Sequence, residues 1–312
     1  MGLAGAVRGR VADLGYAAGW AGVKALPEDA ARRLFEMAAD SGTRRNGESV
    51  EQLRRNLRRV VGGRIAEEEL DLIVQDAMRS YARYWCETFR LPKMPVDSVL
   101  SRADTEGKRH LDEALEAGRG VILALPHSGN WDVAGLWLIS HGQQFTTVAE
   151  RLKPESLYRR FVAYRERIGM EVLPLTGGDR PVLEVLADRL RAGRVVCLLA
   201  DRDLSRHGVP VTFFGAASTM PPGPALLALQ TGAALLPVTL AYSDDGWLQK
   251  IFSPVPVPEG EREAQVAAMT QSLANAFADG IARHPADWHM LQRLWVEDRK
   301  PRDNPLHMKV TG

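Results

Sequence analysis

Residues 120–132 read GVILALPHSGNWD. Five apolar residues follow a glycine, a proline stops the run, and a histidine opens a polar turn. A short, unbroken apolar run of this kind is a strand buried on both faces, as in a parallel sheet covered by helices. The same grammar repeats outward from it. Helical patterns over 131–140, 154–169, 180–193, 222–232 and 261–283 alternate with strand patterns over 145–150, 171–175, 194–200 and 233–242. This alternation predicts an α/β fold with a mostly parallel central sheet flanked by helices. Residues 246–252 follow the turn Asp244–Asp245–Gly246 and are expected to pair antiparallel with 233–242.

Before residue 93 the pattern is helical. Val7, Val11, Leu14 and Ala18 fall on one helical face, which Tyr16, Trp20 and Val23 widen and Arg8, Arg10 and Lys24 flank. That layout suits a helix lying in a bilayer interface, and equally a helix packed on the body of the protein. The uncharged run 14–23 is too short to cross a membrane, which takes about 20 apolar residues. No small-residue cleavage site follows it, so the segment is read as retained. In 50–61, VEQLRRNLRRVV, an apolar stripe of Leu53, Leu57 and Val60 backs a face of Arg54, Arg55, Arg58 and Arg59. Such a face is either solvated or in contact with anionic lipid. The expected division is a helical membrane-docking region over 1–92, an α/β domain over 93–298, and a polar, basic tail over 299–312.

Composition narrows the chemistry. The 312 residues carry a formal net charge of +1, so no global field favours nucleic acid. Two cysteines, Cys86 and Cys197, make no disulfide framework, and the seven histidines are scattered rather than clustered for metal. The chain lacks G-x-S-x-G, a GK[ST] phosphate loop and H-E-x-x-H, which disfavours an enzyme with its own serine nucleophile.

His127 follows the end of a strand, where ligands gather in open α/β sheets. Asp132 lies five positions on, where it is expected to fix the imidazole tautomer and leave the other ring nitrogen to deprotonate an alcohol. The alternative is a histidine satisfied by a local turn, with Asp132 as a helix cap. LPHSGNWD resembles the H-x4-D motif of the bacterial lipid A biosynthesis acyltransferases and of their actinobacterial relatives that acylate phosphatidylinositol mannosides. Further blocks agree in order: TVAERLKPESLYRRF (147–161), VLPLTGGDRP (172–181), LLADRDLSRHGVPVTFFG (198–215), PPGPALLALQTGAALLPV (221–238) and HPADWHMLQ (284–292).

The resemblance implies transfer of a fatty acyl group, palmitoyl in the actinobacterial relatives, from acyl-coenzyme A to a mannose hydroxyl. It implies a peripheral enzyme at the cytoplasmic face of the inner membrane, with acyl-coenzyme A, a glycophospholipid acceptor and the membrane surface as partners and no cofactor or metal. Carried over, His127 is the general base, with Asp132 and Asp201 as its catalytic companions. Relatives use a glutamate at the Asp201 position, so the shorter side chain bears on whether a relay to His127 closes. Glu150, Arg165 and Arg202 are the implied substrate-binding residues. On their own, Glu150 has Arg151 or Arg165 as structural partners, and Arg202 has the flanking Asp201 and Asp203. Arg165 has no acid at helical spacing and so suits an external anion. The same family with another glycolipid acceptor, and a non-catalytic lipid-binding protein, are the competing readings.

Overall fold

The computed structural model describes residues 22–63, 65–150, 155–203 and 207–299. The interfacial face drawn on Val7 to Trp20 lies outside the described residues. Among the described residues, the helices α1 (Glu28–Arg45), α2 (Glu48–Val60) and α3 (Glu67–Arg90) precede a short α4 (Val96–Leu100). The rest alternates: β1 (Ala103–Glu106), α5 (Lys108–Glu116), β2 (Val121–Leu125), α6 (Trp131–Ser140), β3 (Phe145–Ala149), α7 (Glu155–Arg167), β4 (Glu171–Pro174), α8 (Val182–Arg191) and β5 (Val195–Leu199). Then follow β6 (Val209–Phe213), β7 (Ala216–Met220), α9 (Gly223–Thr231), β8 (Ala234–Tyr242), β9 (Trp247–Ile251) and α10 (Arg262–Arg283).

Seven strands form one sheet in the order β1-β9-β8-β2-β5-β3-β4. Every neighbouring pair is parallel except β8 and β9, which meet antiparallel with Val238 opposite Ile251. All five residues of the central strand β2 are buried. Ile122 and Ala124 join one core, with Leu186 and Leu190 of α8, Leu227 of α9 and Phe277 of α10. Val121, Leu123 and Leu125 point the other way, into a core with Leu111 of α5 and Trp137 and Leu138 of α6. Burying one such side chain is worth about 1.5–3 kcal/mol, so both faces of β2 are strongly fixed.

Several elements escaped the sequence pattern, among them the short helices α4 and α5, the strand β1 and the hairpin β6–β7. Strand β1, ADTE, is an edge strand with two acids, and charge on an edge discourages pairing with other chains. The hairpin β6–β7 turns at Phe214 and Gly215, with φ of 49° and 74°, and two-residue hairpins favour positive φ at both positions.

The arginine face of α2 also corrects an expectation. Leu53 and Leu57 are buried as read, but the arginines have acids in reach. Arg54 pairs with Glu67 and Asp71, Arg55 with Glu51, Arg58 with Glu67, and Arg59 with Glu297 and Asp298. The start of α3 and the end of the described chain neutralise this face, which leaves it a poor anion site. Among the described residues no helix is long and apolar enough to cross a membrane.

Candidate active site

The loop after β2 is held from several sides. Asn130 caps α6, its side-chain oxygen accepting from the backbone N–H of Asp132 and Val133 at 3.1 Å. Gly129 has φ 54°, and a Cβ there would come within 2.8 Å of the Leu240 backbone, so only glycine lets the loop lie against β8. The His127 carbonyl accepts from the backbone N–H of His289 at 2.8 Å.

His127 meets Asp201, not Asp132. Its Nδ1 lies 2.5 Å from Asp201 Oδ1, and its backbone N–H donates to Asp201 Oδ2 at 2.9 Å. The indole Nε1–H of Trp288 donates to the same Oδ2 at 2.9 Å. Asp201 is wholly buried just past the end of β5, where Ala200 N–H is tied to the last carbonyl of β2 at 2.8 Å. Burial alone pushes its carboxyl upward; the His127 charge and these donors outweigh that and hold it below the ordinary carboxylate range. The ionised acid accepts the Nδ1 proton, so Nε2 is the basic ring nitrogen, and the side chain remains about a quarter exposed (23%). The short aspartate therefore closes the contact that its length put in question.

Asp132 does different work from the role read off the H-x4-D spacing. It is 1% exposed and grips Arg165 of α7, Oδ1 to Nε at 2.7 Å and Oδ2 to Nη2 at 3.3 Å. Tyr84 and Thr88 of α3 also donate to Oδ2, each at 3.4 Å. Arg165 thus finds its anion inside the protein; burial alone lowers its pKa, and Asp132 raises it beyond that. The pair ties the start of α6 to α7 and α3. Glu150 and Arg202 meet each other at 3.1 Å, past the ends of β3 and β5, with Glu150 more than half exposed. Arg165 is taken by Asp132, and Arg202 reaches across strands to Glu150; Arg151, the other partner expected for Glu150, lies outside the described residues.

Trp288 went unassigned from sequence, although it lies in one of the quoted blocks. It is fully buried, and its single donor completes the shell of Asp201. Other nucleophiles are muted. Burial pushes Cys86 up to about 11 and raises Cys197 as well. Ser128 is 2% exposed, and its hydroxyl accepts from Leu240 N–H at 3.3 Å.

Beside this site a cavity of about 70 Å³ runs between the sheet and α6. Leu123, Leu125, Leu199 and Val238 line it from the sheet, Trp131 and Leu138 from α6, and Asp132 and Arg165 reach its wall. It spans β3, β5, β2, β8 and β9, about 19 Å at ordinary strand spacing.

The family model for the bacterial lipid A biosynthesis acyltransferases matches residues 9–297. The chain belongs to that family. It is similar to a phosphatidylinositol mannoside acyltransferase of Mycolicibacterium smegmatis, 55% identical over 93% of each chain. A protein of the same description from Mycobacterium tuberculosis is 53% identical over 92% of this chain and 89% of its own. A lipid A biosynthesis acyltransferase of Haemophilus influenzae is 24% identical over 56% of this chain and 54% of its own.

Proposed function

We propose that this acyltransferase moves a fatty acyl group, palmitoyl by preference, from acyl-coenzyme A to a mannose hydroxyl of a phosphatidylinositol mannoside. The observation that carries the reading is His127 Nδ1 held by a buried carboxylate beside a long apolar cavity. The acceptor hydroxyl gives its proton to His127 Nε2 as its oxygen attacks the thioester carbonyl. The tetrahedral intermediate collapses, the C–S bond breaks, and the departing thiolate takes the proton back from His127. Asp201 stabilises the imidazolium that forms between the two steps. The acyl chain lies in the cavity, and the Glu150–Arg202 pair borders the entrance for the polar parts of donor and acceptor. Transfer is direct, because the buried thiols and Ser128 offer no activated nucleophile.

The similarity to the two mycobacterial enzymes supports the acceptor. We place the protein peripherally on the cytoplasmic face of the inner membrane, with residues 1–26 as the docking segment. A truncated protein that still sediments fully with anionic vesicles would remove that part of the proposal. The reaction is tested with purified protein, acyl-coenzyme A, and a panel of mannosylated phosphatidylinositols, lipid A precursors and lysophospholipids, with products mapped by mass. Acylation confined to the mannosylated lipids is expected; transfer only to another class refutes the acceptor.

A further inference from the structure

The segment after α10 pairs with the catalytic loop like a short antiparallel strand. Ser128 bridges Trp288, Gly129 N–H donates to the Asp287 carbonyl at 2.9 Å, and His289 N–H donates to the His127 carbonyl at 2.8 Å. In that register His127 stands opposite His289, and Gly129 opposite Asp287. Closed rings of hydrogen bonds lace the strip 287–289 to the site at both ends. At one end the Trp288 indole and the His127 N–H share Asp201 Oδ2, each at 2.9 Å. At the other, Tyr242 closes β8 and donates its N–H to Asp287 Oδ2 at 2.9 Å and its hydroxyl to the Gly129 carbonyl at 3.3 Å.

The strip and the loop could slide together, so something must register both against the rest of the fold. The Asp287 carboxylate is that joint. Besides Tyr242 N–H on Oδ2, it accepts the Ser80 hydroxyl of α3 on Oδ1 at 2.7 Å. Ser80 spends its single proton there, so its oxygen accepts from His289 Nε2, 3.0 Å away. The carboxylate thus ties the end of β8 and the side of α3 to the strip, one residue before Trp288 and two before His289.

We infer that Asp287 is a positioning residue for the His127–Asp201 pair, setting the place of the strip that brings Trp288 to Asp201 and the His289 N–H to His127. The inference rests on the acyl-transfer reading above. Alanine at 287 leaves Tyr242 N–H and Ser80 O–H without their acceptor, and water or a backbone shift must satisfy them. The strip then moves, and His127 Nδ1 loosens from Asp201. A displacement of about 1 Å costs on the order of 100-fold in rate, even when the substituted residue is remote from the chemistry. Asparagine keeps the joint. Its oxygen accepts from Tyr242 N–H, which cannot turn, and its NH2 donates to Ser80, whose hydroxyl rotates toward His289 Nε2. The charge is lost and the geometry is kept.

Two readouts are taken on wild type, Asp287→Ala, Asp287→Asn and Ser80→Ala, each protein checked for folding by its denaturant midpoint. One is kcat and donor KM for transfer from palmitoyl-coenzyme A to a mannosylated phosphatidylinositol. The other is 15N-histidine NMR of the neutral His127 ring, assigned by its loss in His127→Ala, which needs no turnover. In wild type the Nδ1–H tautomer is favoured about 10- to 150-fold by its charged acceptor. In Asp287→Ala that ratio falls about fivefold or more, and kcat falls about 10- to 100-fold with donor KM little changed. Asp287→Asn recovers most of both. Ser80→Ala moves both in the same direction as alanine at 287 and serves if that variant does not fold. Folded variants with the wild-type tautomer ratio overturn the inference. So does an asparagine variant as impaired as alanine, because charge rather than position would then be responsible. A tautomer ratio that falls with alanine and recovers with asparagine, without acyl transfer by any protein, keeps the positioning role and sinks the transferase reading instead.

Discussion

Replacing Asp201 with asparagine isolates the function of the carboxylate. In the wild-type site Oδ2 accepts from two donors, His127 N–H and Trp288 Nε1–H, and Oδ1 accepts from His127 Nδ1. An asparagine amide set with its NH2 toward the two-donor side would oppose both N–H groups. It therefore turns its oxygen there and presents NH2 to His127 Nδ1. Nδ1 must then accept, the ring proton moves to Nε2, and the nitrogen that should deprotonate the acceptor is already protonated. The expected loss in kcat is about 10²–10⁴, the range over which a positioned base acts. Two hydrogen bonds keep their direction and the third is reversed, so the stability cost is limited to the lost charge assistance, about 1–2 kcal/mol. The assay is initial-rate transfer at saturating donor, paired with a denaturant midpoint. A folded Asp201→Asn protein within threefold of wild type would refute the tautomer argument.

Asp132→Ala should act mainly on stability, because it strands Arg165 in a buried setting; breaking such a pair costs about 3–5 kcal/mol. A well-folded variant that is catalytically dead would restore Asp132 to the chemistry. His289 is held down at about 3 by burial and by the neighbouring His127 charge, below its ordinary 6.5. The unfolded chain then binds more protons between pH 6.5 and 3, so this contribution is complete above about 6.5 and is lost as pH falls toward 3. Its slope is at most about 1.4 kcal/mol per pH unit, and buried Asp287, shifted upward, opposes it in the carboxylate range. Chemical unfolding followed against pH should be shallower in His289→Gln; an unchanged slope would mean that His289 titrates normally. The Cys86→Ala/Cys197→Ala double variant should remain active, and Ser128→Ala should lose only part of its rate. Mass spectrometry of enzyme quenched with donor alone should find no stoichiometric acyl adduct, and a turnover-competent adduct would overturn direct transfer.

The parallel sheet was readable because its strands are continuous apolar runs, VILAL and VVCLL, set between amphipathic helices. The antiparallel return of β9 was readable from a two-aspartate turn ending in glycine. The position of His127 just past the end of β2 was readable. Its partner was not. Spacing along a chain reports only local proximity, and Asp132 enters α6 at its second residue, where it meets α3 and α7 instead. The carboxylate that reaches the imidazole arrives 74 residues later, brought there because β5 lies beside β2. The same non-locality hid the acids that neutralise the α2 arginines. Trp288 was invisible for a related reason: its role is one indole proton delivered from the segment after α10.

The central claim is that His127 draws the proton from a mannose hydroxyl while the acyl group moves to that oxygen. Intact-mass analysis of mannosylated phosphatidylinositol, incubated with palmitoyl-coenzyme A and either wild type or folded His127→Ala, tests it most directly. The account predicts one added acyl group with wild type and a rate lower by about 10²–10⁴ with the variant. Equal acylation by both proteins, or none by wild type under conditions where it binds both substrates, would contradict it.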